Sequence, residues 1–122
     1  LRFEVTHCMS DCLFCRIVNK DIPADLIYED EQVVAFRDLH PQAPVHVLII
    51  PRRHVMNLNA AVAEDEALLG HLCTVAAELA RRDKIAESGY RLVANVGPDA
   101  GESIGHLHFH LLGGRHFGWP PG

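Results

Sequence analysis

The sequence predicts an α+β fold: an antiparallel sheet of about five strands with one long and one short helix. Three observations carry this. Short β-rich runs recur between turn residues, a single stretch in the middle of the chain keeps helical periodicity, and the connections are short enough for antiparallel pairing.

The elements follow in order. Ser10 or Asp11 can cap a short helix that runs to about Asn19, with Leu13, Phe14, Ile17 and Val18 as its apolar positions and Pro23 ending it. LIYED (26–30) and QVVAFRD (32–38) read as a hairpin about an acidic turn. HPQAP (40–44) is a loop. VHVLIIP (45–51) is a nearly continuous β-branched run, hence a central strand closed by Pro51. From about Ala63 to Glu87, Leu68, Leu72, Val75 and Leu79 recur at helical spacing and form one apolar stripe. Glu64, Asp65 and Glu66 lie at the N-terminal end of this helix and Arg81, Arg82 and Lys84 near its C-terminal end, as its dipole favours. Gly89 is the expected stop. YRLVANV (90–96) is a strand, GPDAGES (97–103) a loop, and a histidine-rich strand comes last.

With 122 residues, 48% hydrophobic and 22% charged, the chain fits one domain able to bury a core without disulfides or an obligatory metal. A formal net charge of -5 argues against a nucleic-acid partner, so an anionic ligand must be held by local donors. No apolar run approaches the ~18 residues of a membrane span. Without a basic region leading into a long apolar stretch, the cytoplasm is the expected compartment. There, Cys8, Cys12, Cys15 and Cys73 are expected to be reduced or metal-bound. LRFEVTHC, ahead of Met9, reads as extra sequence: residues 1–9 are set aside as an extra or disordered segment, and the domain is expected over 10–122.

The feature that carries chemistry is GHLHFHLLGG. In a strand, His106, His108 and His110 share one face while Leu107, Phe109 and Leu111 point into a core. One reading is a solvated edge, and a second is a metal site. But three alternate residues on one strand spread their Cα atoms over ~13 Å, too far for one ion that binds nitrogen at about 2.0–2.1 Å. No Asp or Glu follows from Leu111 to Gly114 either. The third reading is a nucleophile for phosphate. A neutral imidazole attacks phosphorus through one nitrogen while the other donates to a fixed acceptor. The central histidine suits attack, since its neighbours can donate to the phosphate oxygens. Gly97, Gly101 and Ser103 can add backbone N–H groups and a hydroxyl.

HLHFHLL matches the His-φ-His-φ-His-φ-φ signature (φ apolar) of the histidine triad (HIT) superfamily. FRDLHPQAPVHVLIIPRRH (36–54), YRLVANVGPDAGESIGHLHFHLLGGR (90–115) and the ending WPPG (119–122) resemble the Hint branch, the purine nucleoside phosphoramidases. The galactose-1-phosphate uridylyltransferase branch has proline between two histidines, where this chain has Leu107 and Phe109. The fragile-histidine-triad branch, which hydrolyses dinucleoside polyphosphates, shares the chemistry but not this ending. The resemblance implies a hydrolase acting on purine nucleoside 5′-phosphoramidates of the AMP or GMP type through a nucleotidyl-histidine intermediate. The alternatives are a dinucleoside polyphosphate hydrolase and a nucleotide-binding scaffold with incidental catalysis.

Carried over by position, His108 is the expected nucleophile, His110 the hydrogen-bond partner of the α-phosphate, and His106 the orienting residue, its carbonyl accepting from His108. His46 matches the supporting fourth histidine. Asn95 and Ser103 match positions that contact the phosphate and the leaving group. Glu102 stands where the family often has glutamine. Asp38 matches the acceptor of the ribose hydroxyls, and Leu13, Phe14, Ile17, Phe36 and Leu39 the apolar clamp on the base. Trp119 lies in the tail that reaches the partner's site in a homodimer. The resemblance implies no cofactor for catalysis. It does imply a candidate structural zinc site at Cys12, Cys15, His54 and His106, as in some bacterial members.

Overall fold

The computed structural model describes residues 11–122. The elements are α1 (Leu13–Val18), β1 (Leu26–Glu29), β2 (Val33–Arg37), β3 (Val45–Pro51), α2 (Glu66–Arg82), β4 (Tyr90–Val93) and β5 (Phe109–Gly113), with short 3-10 turns between them. The five strands form one sheet in the order β1-β2-β3-β5-β4, every neighbouring pair antiparallel. This is the predicted architecture. Among the described residues, no helix is long and apolar enough to cross a membrane.

The two sheet faces carry separate cores. On one, Leu68, Leu72, Val75 and Leu79 of α2 pack on Val33, Ala35, Val47, Ile49, Leu107 and Leu111. Each such side chain contributes roughly 1.5–3 kcal/mol on burial. On the other, Phe14, Ile17 and Val18 of α1 pack on Val34, Phe36, Leu48 and Ile50. Alternation along β2 and β3 divides these residues between the cores.

Several boundaries differ from expectation. Cys12, rather than Asp11, is the N-cap of α1, its Sγ accepting from the Cys15 N–H at 3.4 Å; the other expected cap, Ser10, lies outside the described residues. The first helix ends at its C-cap Asn19, as expected, whereas α2 ends at Arg82, short of the expected Glu87 and Gly89. Each ends in a Schellman motif with lysine in the left-handed position, Lys20 (φ 62°) after α1 and Lys84 (φ 62°) after α2. Asp21 N–H donates to Arg16 O at 2.9 Å and Lys20 N–H to Ile17 O at 3.0 Å; Ile85 N–H donates to Ala80 O at 2.9 Å and Lys84 N–H to Arg81 O at 3.1 Å. Buried Ile85 and the ion pair from Arg37 to Asp83 hold the second turn. At its other end α2 starts at Glu66, because Ala63–Asp65 is a 3-10 turn.

At the end of β5, Gly114 has φ 89°, and a Cβ there would lie 2.9 Å from the Pro44 side chain. The turn therefore requires glycine.

Candidate active site

β5 begins only at Phe109, so His110 alone of the three alternating histidines sits in a paired strand, opposite Leu48 of β3 and Val93 of β4. β4 ends at that pair. Upstream, the chain is tied by other bonds: Leu107 N–H donates to Val55 O and the His106 ring to Pro51 O. The three rings still share the α1 side. Phe14 makes edge contacts with His106 and His108, and the His108 and His110 ring centres are 5.1 Å apart.

Backbone groups set the tautomer of each ring, because a carbonyl only accepts and an N–H only donates. His108 Nδ1 lies 2.8 Å from the His106 carbonyl, so Nδ1 carries a hydrogen, and in the neutral ring the lone pair is on Nε2. Gln42 N–H donates to His46 Nδ1 at 3.0 Å, which places the His46 hydrogen on Nε2. That hydrogen points to His110 Nδ1 at 2.9 Å, with Asp38 Oδ2 at 3.4 Å on its flank. His110 therefore carries its hydrogen on Nε2. The neutral form of His108 thus presents its lone pair beside an N–H donor on His110.

The electrostatics agree with this assignment. Burial, reinforced by His108 and His46 and opposed by Asp38, pushes His110 down to about 4. Burial also lowers His46, again opposed by Asp38. Burial pushes His106 down to about 4. Neutral imidazoles are thus the resting forms of these three rings near pH 7.

A cavity of about 200 Å³ opens on His108 and His110. Asp38, Asn95, Glu102 and Ser103 line it, with Phe14, Leu48 and Ile104 as the apolar wall. Gly101, in the left-handed region at φ 77°, turns the loop back toward the histidines. The Glu102 carboxylate is already engaged: it accepts from Gly97 N–H at 2.7 Å and from Asn57 Nδ2 at 3.1 Å. It braces the loop. Asp38 accepts from His40 N–H at 2.8 Å through one oxygen.

The remaining expected residues are placed differently. Ile17 and Phe36 are packed in the α1-side core and do not line the cavity. Leu13 is exposed, and among the described residues Leu39 and Trp119 are the most open large apolar side chains at 85% and 84%. Sequence reasoning missed Leu48, although it shares a face with His46 by simple alternation. It also missed the backbone partners Gln42 and Pro51, which no side-chain pattern reveals.

Behind the triad, Cys12 Sγ and Cys15 Sγ lie 3.4 and 3.5 Å from His106 Nδ1, and Cys15 Sγ lies 3.3 Å from His54 Nδ1. All four ligand atoms are within 4.8 Å of one another. A tetrahedral zinc with bonds of about 2.0–2.3 Å has ligand–ligand edges of roughly 3.3–3.8 Å. The donor set and these edges fit such an ion. His106 donates from Nε2 to Pro51 O at 2.9 Å, which leaves Nδ1 as the ligating atom.

The chain as a whole has relatives among known proteins. A model of the HIT domain matches residues 19–117. The chain belongs to the HIT domain family. A curated HIT-like protein of Synechococcus elongatus, itself uncharacterised, is 51% identical over 92% of this chain and 97% of its own length. The HIT family hydrolase of Legionella pneumophila Philadelphia 1 superposes with a TM-score of 0.90 at 46% identity, covering 92% of this chain and 100% of that one. A histidine triad nucleotide-binding protein from Candida albicans gives a TM-score of 0.77 at 31% identity, over 90% of this chain and 83% of that one. The HIT fold and its hydrolase-like relatives thus frame this site.

Proposed function

We propose that this HIT domain is a hydrolase of the Hint type, cleaving the P–N bond of purine nucleoside 5′-phosphoramidates. The observation that carries the reading is that the His106 carbonyl holds His108 Nδ1, which leaves Nε2 as the nitrogen for attack, beside the N–H of His110 in one cavity. His108 Nε2 attacks the α-phosphorus, the P–N bond breaks, and the departing amine takes a proton from solvent. Water then cleaves the P–Nε2 bond, returns a proton to solvent and releases the nucleoside monophosphate. His110 donates to a phosphoryl oxygen, most strongly where charge builds in the transition state. Asn95 and Ser103 contact the phosphate and leaving group, and Asp38 accepts from the ribose hydroxyls. Of the expected base clamp, Phe14 lines the cavity, Ile17 and Phe36 back it from the core, and the exposed Leu13 and Leu39 are its outer members.

The same reading includes a cytoplasmic homodimer in which Trp119 reaches the partner's site; the open indole supports it. Sedimentation of the purified chain tests the dimer. It also includes a structural zinc held by Cys12, Cys15, His54 and His106, supported by the edge lengths above. Zinc there would fasten α1 to the segment that carries the triad. Metal analysis of protein purified without chelator should find about one zinc per chain, lost in Cys15→Ser.

Rapid quenching during turnover of adenosine 5′-phosphoramidate should trap one nucleotidyl group per chain, acid-labile and absent in His108→Ala. Turnover without any adduct would remove the covalent mechanism. Faster cleavage of diadenosine polyphosphates than of the phosphoramidate would remove the substrate assignment.

A further inference from the structure

The catalytic cavity holds two carboxylates, Asp38 and Glu102, and among the described residues no lysine or arginine lines it. Arg91 and Arg115 line the adjoining cavity instead. An anion beside His108 therefore relies on hydrogen-bond donors rather than on fixed cations.

The loop 97–103 is the expected source of such donors, through its backbone. Its amides are already used within the loop. Ala100 N–H donates to Gly97 O at 3.2 Å, Gly101 N–H to Pro98 O at 3.0 Å, and Glu102 N–H to Gly97 O at 3.1 Å. Gly97 N–H donates to Glu102 Oε1 at 2.7 Å. The same oxygen accepts from Asn57 Nδ2 at 3.1 Å, and Oε2 lies 3.3 Å from that nitrogen. Glu102 thus has two effects. It occupies an amide that a phosphate-binding loop would present, and it fixes a carboxylate next to Ser103. Both of its partners are uncharged donors, so they orient the carboxylate without cancelling its charge. The side-chain donors that remain for a phosphate are the Asn95 amide, the Ser103 hydroxyl and the His110 N–H. These match the oxygens of one phosphate group.

We infer that Glu102 is a specificity-determining residue: it limits the cavity to a single phosphate and disfavours leaving groups that carry a second one. This rests on the nucleotide site of the reading above, in which the α-phosphate lies at His108 and His110 and Ser103 contacts the leaving group. A β-phosphate then falls beside the Glu102 carboxylate, where like charges repel at short range. Glutamine has the same shape and can accept both bonds through its carbonyl oxygen, but it lacks the charge.

The test measures AMP and ADP binding by calorimetry, since the two ligands differ by one phosphate and no turnover is needed. The wild-type protein should bind ADP about tenfold more weakly than AMP, the size of one like-charge contact near a protein surface. The gap should close toward unity in Glu102→Gln. It should persist in Asn57→Ala, which removes a bracing donor and keeps the charge. The ratio is read within each variant, so a general loss of folded protein cancels. Equal affinities in the wild type would overturn the inference, as would a gap that survives Glu102→Gln. A gap lost as fully in Asn57→Ala would assign it to the shape of the loop and overturn the role of charge. A wild-type protein that binds neither nucleotide overturns the nucleotide site and this inference together. Discrimination between AMP and ADP by a protein that does not cleave the phosphoramidate overturns the hydrolase reading alone.

Discussion

The two faces of the sheet are built from the same strands by opposite rules. On the α2 face the buried core is wholly aliphatic, and Leu72, Ile49 and Leu111 are fully buried. On the α1 face the buried apolar cluster stops at Phe14 and Leu48, and the space beyond is filled by imidazoles. Four of them, His46, His106, His108 and His110, bond to the backbone or to one another. The lesson is one of separation. The α2 face supplies most of the hydrophobic stability, so the α1 face can hold buried polar rings whose bonds set tautomers.

The sharpest way to break this comparison is a pair of substitutions. His108→Ala should lower turnover of adenosine 5′-phosphoramidate by about 10⁴-fold or more, with little change in the urea midpoint. Leu72→Ala, on the other face, should cost about 2–5 kcal/mol of stability while kcat of the folded fraction stays near wild type. If Leu72→Ala lost activity without losing stability, the two faces would not be separable.

His46→Ala comes next. It removes the ring that fixes the His110 tautomer, and kcat should fall roughly 10²-fold, at the low end for loss of a positioned proton donor. His46→Gln, which can still present an N–H, should recover part of that loss. Steady-state kinetics on both variants checks this.

Acid should act on the α1 face before the α2 face. His110 has a folded pKa of about 4 against about 6.5 when unfolded, and His46 is shifted the same way. Above pH 6.5 both rings are neutral in either state and contribute no pH dependence. As pH falls from 6.5 toward 4, the unfolded chain takes up protons that the folded chain refuses, so stability declines over that window. Urea titrations at several pH values should show this decline, and it should shrink in His110→Asn.

The smallest effect lies at the helix ends. Lys84→Gly should relieve the left-handed strain after α2 and stabilise by up to about 1 kcal/mol. Thermal denaturation reads the shift.

Much of the fold was legible because it is periodic. The stripe Leu68–Leu72–Val75–Leu79 located α2, and the nearly continuous β-branched run VHVLIIP located β3. The end of α1 near Asn19 was legible, but the end of α2 was not, because the expected glycine signal is replaced by Lys84, whose conformation is stabilised by the turn it closes. In the site, alternation placed the three triad rings on one side. Ile17 and Phe36 fell into the core because α1 lies flat on β2 and β3, which no spacing in either segment discloses.

By itself the sequence determined which residues share a face, since side-chain direction follows from local backbone period alone. It determined the chemistry available to the site in the same way, as three alternate imidazoles beside a glycine-bearing loop. Only the tertiary structure decided which nitrogen of each ring keeps its hydrogen. That choice depends on Gln42, Pro51 and the pairing of His46 with His110 across 64 residues of chain. Tertiary structure also decided that Cys12 meets His106 across 94 residues. Such partners are brought together by packing, and a hydrogen bond between distant residues leaves no periodic trace in the chain.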